Sequence, residues 1–231
     1  MSNSDLAVIL PAAGASRRYG ASRGKLLETL AGKPVLLHSL EAFQKHPSVR
    51  FIALAVSPDS EIRSLPLGDV HLCAGGESRE HSVLNALRTV PETIKWVAIH
   101  DAARPLVSAE LIDRVFRAAI ANGAAAPAVA VSQTIKEADA PLPAKVVRTM
   151  SRHRLWALQT PQICGREELL DAFTKCPIPL EQVTDDLQIL ELAGHATFLV
   201  PGEESNLKIT TPADLQLAEF FLRSRSAPPA R

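Results

Sequence analysis

Short uninterrupted apolar runs alternate along this chain with longer stretches in which apolar residues recur every three or four positions. Leu6–Leu10 is such a run, ended by Pro11, and predicts a buried parallel strand. Val35, Leu36, Ser39, Leu40 and Phe43 then give helical spacing over Pro34–Lys45. Phe51–Val56 and Val70–Cys73 predict two more strands, the second leading into a helix with Val83, Leu84 and Leu87 on its inner face. Trp96–Ile99 predicts a strand ending at His100-Asp101. Ser108 is placed to cap a helix carrying Leu111, Ile112, Val115 and Phe116. Ala126–Val131 is the next strand. Strands separated by helical patterns of about 10–15 residues imply βαβ crossovers, hence a mainly parallel twisted sheet with helices on both faces, an α/β Rossmann-like fold.

The rhythm breaks between about residues 132 and 158. Thr134–Glu137 and Lys145–Met150 predict two short strands around a Pro-rich turn, a protruding β-hairpin arm rather than another crossover. Arg166–Lys175 and Thr184–Ala193 then look helical, Thr197–Val200 strand-like, and Pro212–Arg223 forms a terminal helix. Ala118–Ile135 contains no charge and has the length of a membrane span, but it is Ala-rich and broken by Asn122, Gly123 and Pro127. A helix end followed by a buried strand explains it better, and no membrane partner is expected.

Composition narrows the class. The 231 residues carry 25 Lys+Arg against 25 Asp+Glu and are 46% hydrophobic. That suits one domain spanning residues 1–231, leaves no room for a second enzyme, and argues against disorder or a nucleic-acid-coating role. Three widely spaced cysteines (Cys73, Cys164, Cys176) form no metal knuckle or disulfide framework, and the N-terminus lacks a basic signal region. A cytoplasmic location is expected.

The strongest chemical signal directly follows the first strand: Pro11-Ala12-Ala13-Gly14-Ala-Ser16-Arg17-Arg18, with Lys25 further along the loop. Small residues there let backbone N–H groups approach an anion, and the cations add fixed positive charge. The dinucleotide fingerprint is missing, since only Gly14 of its glycines is present. A Walker A loop fails too: Gly20 and Gly24 enclose three residues, and Leu26 stands where a hydroxyl is needed. The hydrolase elbow fails because Glu80 replaces its last glycine. Gly75-Gly76-Glu77-Ser78-Arg79-Glu80-His81-Ser82 opens a helix, whose free N–H groups suit anions or plain capping. His100-Asp101-Ala102-Ala-Arg104-Pro105 puts a carboxylate at a strand end, suited to Mg²⁺ or to a structural pair with Arg104. Lys208, between Leu207 and Ile209, would point away from both in a strand, toward solvent or a site.

These segments, with the Gln159-Thr160-Pro161-Gln162 run, Thr184-Asp185-Asp186 and Asn206–Thr210, resemble the 2-C-methyl-D-erythritol 4-phosphate cytidylyltransferases over about Val8–Phe221. The resemblance implies transfer of CMP from CTP to methylerythritol phosphate, with Mg²⁺ as cofactor. It implies triphosphate contacts at Ala12, Ala13, Gly14, Arg18 and Lys25, and nucleotide recognition by Gly76, Glu77, Ser82, Asp101 and Ala102. Arg18, Lys25 and Lys208 would be catalytic, Asp101 the metal ligand, and Arg104, Thr184 and Asp185 substrate neighbours. The arm resembles the family's dimerisation hairpin, placing Thr134 and Arg152 at the polyol phosphate across a homodimer interface. Gly24 and Leu26 flank Lys25 where Pro and Gln are usual, Ser151 stands before Arg152 in place of a common Asp, and Asp186-Leu187-Gln188 replaces a common Glu-Ala-Ser.

The chemistry explains the cations. A phosphate monoester has a second pKa of about 6 and is largely ionised at neutral pH, so it needs no general base. The difficulty is bringing it to a polyanionic triphosphate, which calls for positioning and charge neutralisation. The rival expectations are a ribitol-5-phosphate cytidylyltransferase, a nucleotide-binding regulator without turnover and, more distantly, a nicotinamide oxidoreductase.

Overall fold

The computed structural model describes residues 5–14 and 24–226, so Arg17 and Arg18 lie outside the described residues. Among the described residues the main sheet has eight strands. Its middle is parallel: β1 (Leu6–Pro11) lies between β4 (Val49–Val56) and β6 (Trp96–Ile99), and β5 (His71–Ala74) extends the row beyond β4. A minor hairpin, β2 (Thr29–Leu30) with β3 (Lys33–Pro34), precedes the first helix.

β7 (Ala124–Ala130) continues the sheet on the far side of β11 (Gln162–Gly165), which runs antiparallel between β6 and β7. β10 (Trp156–Leu158) is also antiparallel to β7, pairing with Ala128–Ala130. β10 and β11 thus read as a strand interrupted at Gln159–Pro161, where the Thr160–Pro161 peptide is cis. β12 (Phe198–Pro201) pairs in parallel with Ala125–Ala128, and because those residues already face β10 and β11, it takes the opposite edge of β7. The sheet is therefore mixed though mostly parallel. The chain pattern hides the antiparallel insertion because β11 is four residues long and behind a proline, too short for any periodicity.

β1 shows how the layers form. Leu6, Val8 and Leu10 enter a core shared with α1 (Val35–Gln44), α3 (Ala109–Asn122) and α6 (Pro212–Ser226). Ala7 and Ile9 enter the opposite core with α2 (Arg79–Leu87), α4 (Arg166–Lys175) and α5 (Asp186–Leu192). All five residues are fully buried. Alternate side chains of one strand thus anchor both helical layers. The uncharged stretch resolves as the end of α3 followed by β7, joined at Gly123, whose φ of 93° suits glycine. Ser108 caps α3 by accepting a hydrogen bond from the Leu111 N–H.

The arm is a separate two-stranded ladder, β8 (Ile135–Ala138) against β9 (Val146–Met150). It leaves from the end of β7. Trp156–Leu158, which the sequence placed within the arm, belongs instead to the main sheet, because it finds ladder partners along β7.

Candidate active site

The parallel strands β1, β4, β5 and β6 all end on one side of the sheet, where ligands bind in open α/β folds. Ala12, Ala13 and Gly14 follow β1 there. The end of β5 lies tight against them: a Cβ at Gly75 would fall 2.1 Å from that of Ala13, so only glycine permits the approach. In the next loop Ser78 caps α2, accepting from the His81 N–H. The buried Ser82 hydroxyl accepts from the Gly76 N–H at 2.9 Å and donates to the Ser78 carbonyl at 2.9 Å. Ser82 thus holds the loop that would present Gly76 and the exposed Glu77.

The centre of the site is Asp101, just beyond β6 and 8% exposed. Its Oδ1 is 3.3 Å from Arg79 Nε, and its Oδ2 is 3.4 Å from Arg104 Nε and 3.0 Å from Lys208 Nζ. Burial works against ionisation, but Arg79, Lys208 and Arg104 outweigh it and hold the carboxyl well below the usual range. Arg104 is anchored in turn, donating to the Asn206 carbonyl at 2.8 Å and to the Leu158 carbonyl at 3.4 Å.

Arg79 extends the cluster to a second carboxylate, reaching Asp186 Oδ2 at 2.8 Å. Asp186 is 1% exposed. Burial, the larger influence, pushes its carboxyl upward, and Arg79 opposes that. The guanidinium at this distance favours the charged form of Asp186. Arg79 itself stays charged, since Asp186 and Asp101 more than offset its burial. Among the described residues Arg79 Nη1 and Asp186 Oδ1 have no hydrogen-bond partner, and Glu80 Oε1 lies 3.5 Å from Nη1.

Behind Asp101 a second chain of bonds fixes the backbone. The Asp101 N–H donates to Thr160 Oγ1 at 3.0 Å, and Thr160 lies 3.0 Å from His100 Nδ1. His100 Nε2 is 3.1 Å from the Arg104 carbonyl, which can only accept, so Nε2 carries the proton and Nδ1 accepts from Thr160. Burial lowers the His100 pKa to about 4. Neutral His100 therefore belongs to the folded state. Between pH about 6.5 and about 4 the unfolded chain binds a proton that the folded one does not, and stability falls with pH by about 3 kcal/mol. Urea unfolding at about pH 7.5 and about 4.5 should show a smaller acid loss in His100→Gln than in wild type. Equal losses would refute this account.

The site gathers Ala12, Ala13, Gly14, Gly76, Ser82, Asp101, Ala102, Arg104 and Lys208 around the strand ends. Ala102 is buried and its carbonyl accepts from Ser39 Oγ at 2.9 Å, tying this loop to α1. Lys25 exerts its charge on Asp214, near the start of α6. Asp185 caps α5, accepting from the Gln188 N–H at 3.2 Å, and Thr184 donates to Asp185. Thr134 and Arg152 are exposed beside the arm strands, with Arg152 bonded to the Ser132 carbonyl. Sequence reasoning missed the Arg79–Asp186 link, whose partners are 107 residues apart, and the role of Thr160. Both positions lay inside quoted segments, but no spacing pointed from one to the other.

Three cations converging on one carboxylate, beside loops of small residues at parallel strand ends, form a site suited to a polyanionic ligand, as a nucleotidyltransferase requires. A family profile described as 2-C-methyl-D-erythritol 4-phosphate cytidylyltransferase matches residues 6–224, and the chain belongs to that family. A relative of that name from Gloeobacter violaceus is 41% identical over 225 residues, covering 94% of this chain and 96% of the relative. A bifunctional enzyme IspD/IspF from Desulfotalea psychrophila is 40% identical over 228 residues, covering 96% of this chain, which spans only 58% of that relative's length. The crystal structure of the Francisella tularensis cytidylyltransferase superposes with a TM-score of 0.81 at 32% identity, covering 94% of this chain and 99% of that one.

Proposed function

We propose that the chain transfers CMP from CTP to 2-C-methyl-D-erythritol 4-phosphate, giving 4-diphosphocytidyl-2-C-methyl-D-erythritol and pyrophosphate for isoprenoid precursor synthesis. The observation that carries this reading is Asp101 ringed by Arg79, Arg104 and Lys208 within 3.4 Å, in a chain of this family. The acceptor phosphate attacks the α-phosphorus of CTP, forming a P–O bond while pyrophosphate leaves. The chain supplies no base. Its contribution is to hold two anions together and to neutralise charge as it shifts toward the leaving group.

In this reading the Ala12–Gly14 backbone and Lys25 meet the triphosphate, joined by Arg18. Gly76, Glu77, Ser82, Asp101 and Ala102 frame the nucleotide, and Lys208 serves the reacting phosphate. Arg104, Thr184 and Asp185 border the acceptor. Among the described residues no cluster of three His, Cys, Asp or Glu side chains could hold a metal. Asp101, whose two oxygens already face Arg79, Arg104 and Lys208, would hold Mg²⁺ only together with substrate phosphates and by yielding part of those contacts. When bound, the ion would add positive charge to the triphosphate.

A homodimer through the arm forms part of the proposal. An isolated two-stranded hairpin is marginally stable in water. Here it exposes Leu142 (87%), Val146 and Val147, and a cavity of about 340 Å³ lined by Val129, Trp156, Leu199 and Pro201 opens at its root. A second copy covering these surfaces would bring Thr134 and Arg152 to the partner's acceptor site. Light scattering should give twice the chain mass, and Val147→Glu with Leu142→Glu should give monomer. A monomeric wild type would end the dimer proposal. A cytoplasmic location fits the three free thiols, and among the described residues no helix is long and apolar enough to cross a membrane.

The reaction is tested by pyrophosphate release from CTP with each acceptor. Methylerythritol phosphate should be turned over at least about tenfold more efficiently than ribitol 5-phosphate, a difference of about 1.4 kcal/mol in barrier. The reverse order would assign the ribitol reaction, and CTP binding without release would indicate a regulator.

A further inference from the structure

We infer that Asn206, backed by Gln159, is a positioning residue for Lys208, an inference that rests on the cytidylyltransferase reading. Residues 202–210 form neither strand nor helix, so no ladder fixes the backbone that carries Lys208. A lysine side chain is long and flexible, and its ammonium is only as well placed as the chain beneath it. Side chains replace the ladder here. Gln159 Nε2 donates to the Glu203 carbonyl at 2.8 Å, and Gln159 Oε1 accepts from the Glu203 N–H at 3.2 Å. Asn206 is fully buried, and its Nδ2 donates to the Thr160 carbonyl at 2.9 Å and to Gln159 Oε1 at 3.4 Å. Its own carbonyl accepts from Arg104. One residue beyond Lys208, the Ile209 N–H donates to the Ala103 carbonyl at 2.8 Å.

Lys208 is thus bracketed on both sides. The bracket also shares a reference point with Asp101. The Thr160 carbonyl holds Asn206 while the Thr160 hydroxyl holds the Asp101 N–H. The separation of 3.0 Å between Lys208 Nζ and Asp101 Oδ2 is therefore set from one residue, through Asn206 on one side. Removing the Asn206 amide frees the segment before Lys208 and takes from the Thr160 carbonyl the donor it holds at 2.9 Å.

The test uses the full chain with Asn206→Ala. We expect kcat to fall about tenfold while KM for CTP stays within about threefold, since the loss falls on a contact made in the transition state. Acylation by an amine-reactive ester, read by peptide mass spectrometry without substrates, should become faster at Lys208 and stay unchanged at Lys175 on α4. An unchanged kcat or an unchanged labelling rate at Lys208 overturns the inference. Should Asn206→Ala fail to fold, Gln159→Glu, which keeps its size but loses the donor to Glu203, is judged by the same two measurements. A wild type that does not turn over CTP with methylerythritol phosphate would instead overturn the reaction, and the labelling comparison would still decide the role of Asn206.

Discussion

Lys208→Ala should lower kcat by about 10²–10³-fold, about 2.7–4 kcal/mol in barrier, by analogy with loss of one preorganised charge-stabilising donor. The expectation follows from where the ammonium sits. Its side chain is 36% exposed, so it is open to an incoming anion, while Asp101 at 3.0 Å keeps it from wandering. Asp101 retains Arg79 and Arg104 when Lys208 is lost, so the fold should survive and the loss should appear in rate rather than in expression. Lys208→Arg should recover only part of the rate, because a planar fork cannot reproduce a compact point charge. Steady-state pyrophosphate release on folded protein decides the matter. Activity of Lys208→Ala within about threefold of wild type would remove Lys208 from the reaction.

Arg79→Met should destabilise the folded state by about 3–5 kcal/mol, the usual cost of stripping one partner from a buried ion pair. Arg79 lies between Asp101 Oδ1 and Asp186 Oδ2, and its side chain is only 25% exposed. Without it Asp186 is left buried and unpaired, and must either carry an uncompensated charge or take up a proton. Arg79→Lys should lose less, since one ammonium keeps the charge but cannot span both carboxylates. Combining Arg79→Met with Asp186→Leu should restore part of the loss, because the stranded charge leaves with its partner. Urea midpoints at constant m-value measure all three. A midpoint for Arg79→Met equal to wild type would show that this pair contributes nothing to stability.

The parts legible in the sequence share one physical property: they are local. β1 could be read from five apolar residues before a proline, and α3 from its Ser108 cap and the spacing of Leu111, Ile112, Val115 and Phe116. The loops at the strand ends were legible for the same reason, since small and charged residues cluster there within a few positions. What escaped was long-range. β11 is inserted antiparallel between strands distant from it in sequence, and four residues after a cis proline carry no sign of the direction in which they will run. Arg79 looked like one more charge in the first turn of a helix until Asp186 came beside it. Lys208 was singled out, but its support was misjudged: it sits on an irregular segment held by amide side chains, which no alternation rule describes.

The re-entry of the chain at Trp156–Leu158 has a consequence for variation among related chains. Because the polypeptide is stitched back along β7 before it reaches Gln159 and Thr160, residues can be added to or removed from the hairpin upstream without shifting the floor beneath Asp101. The appendage can thus diverge in length and composition while the arrangement around Asp101 stays put.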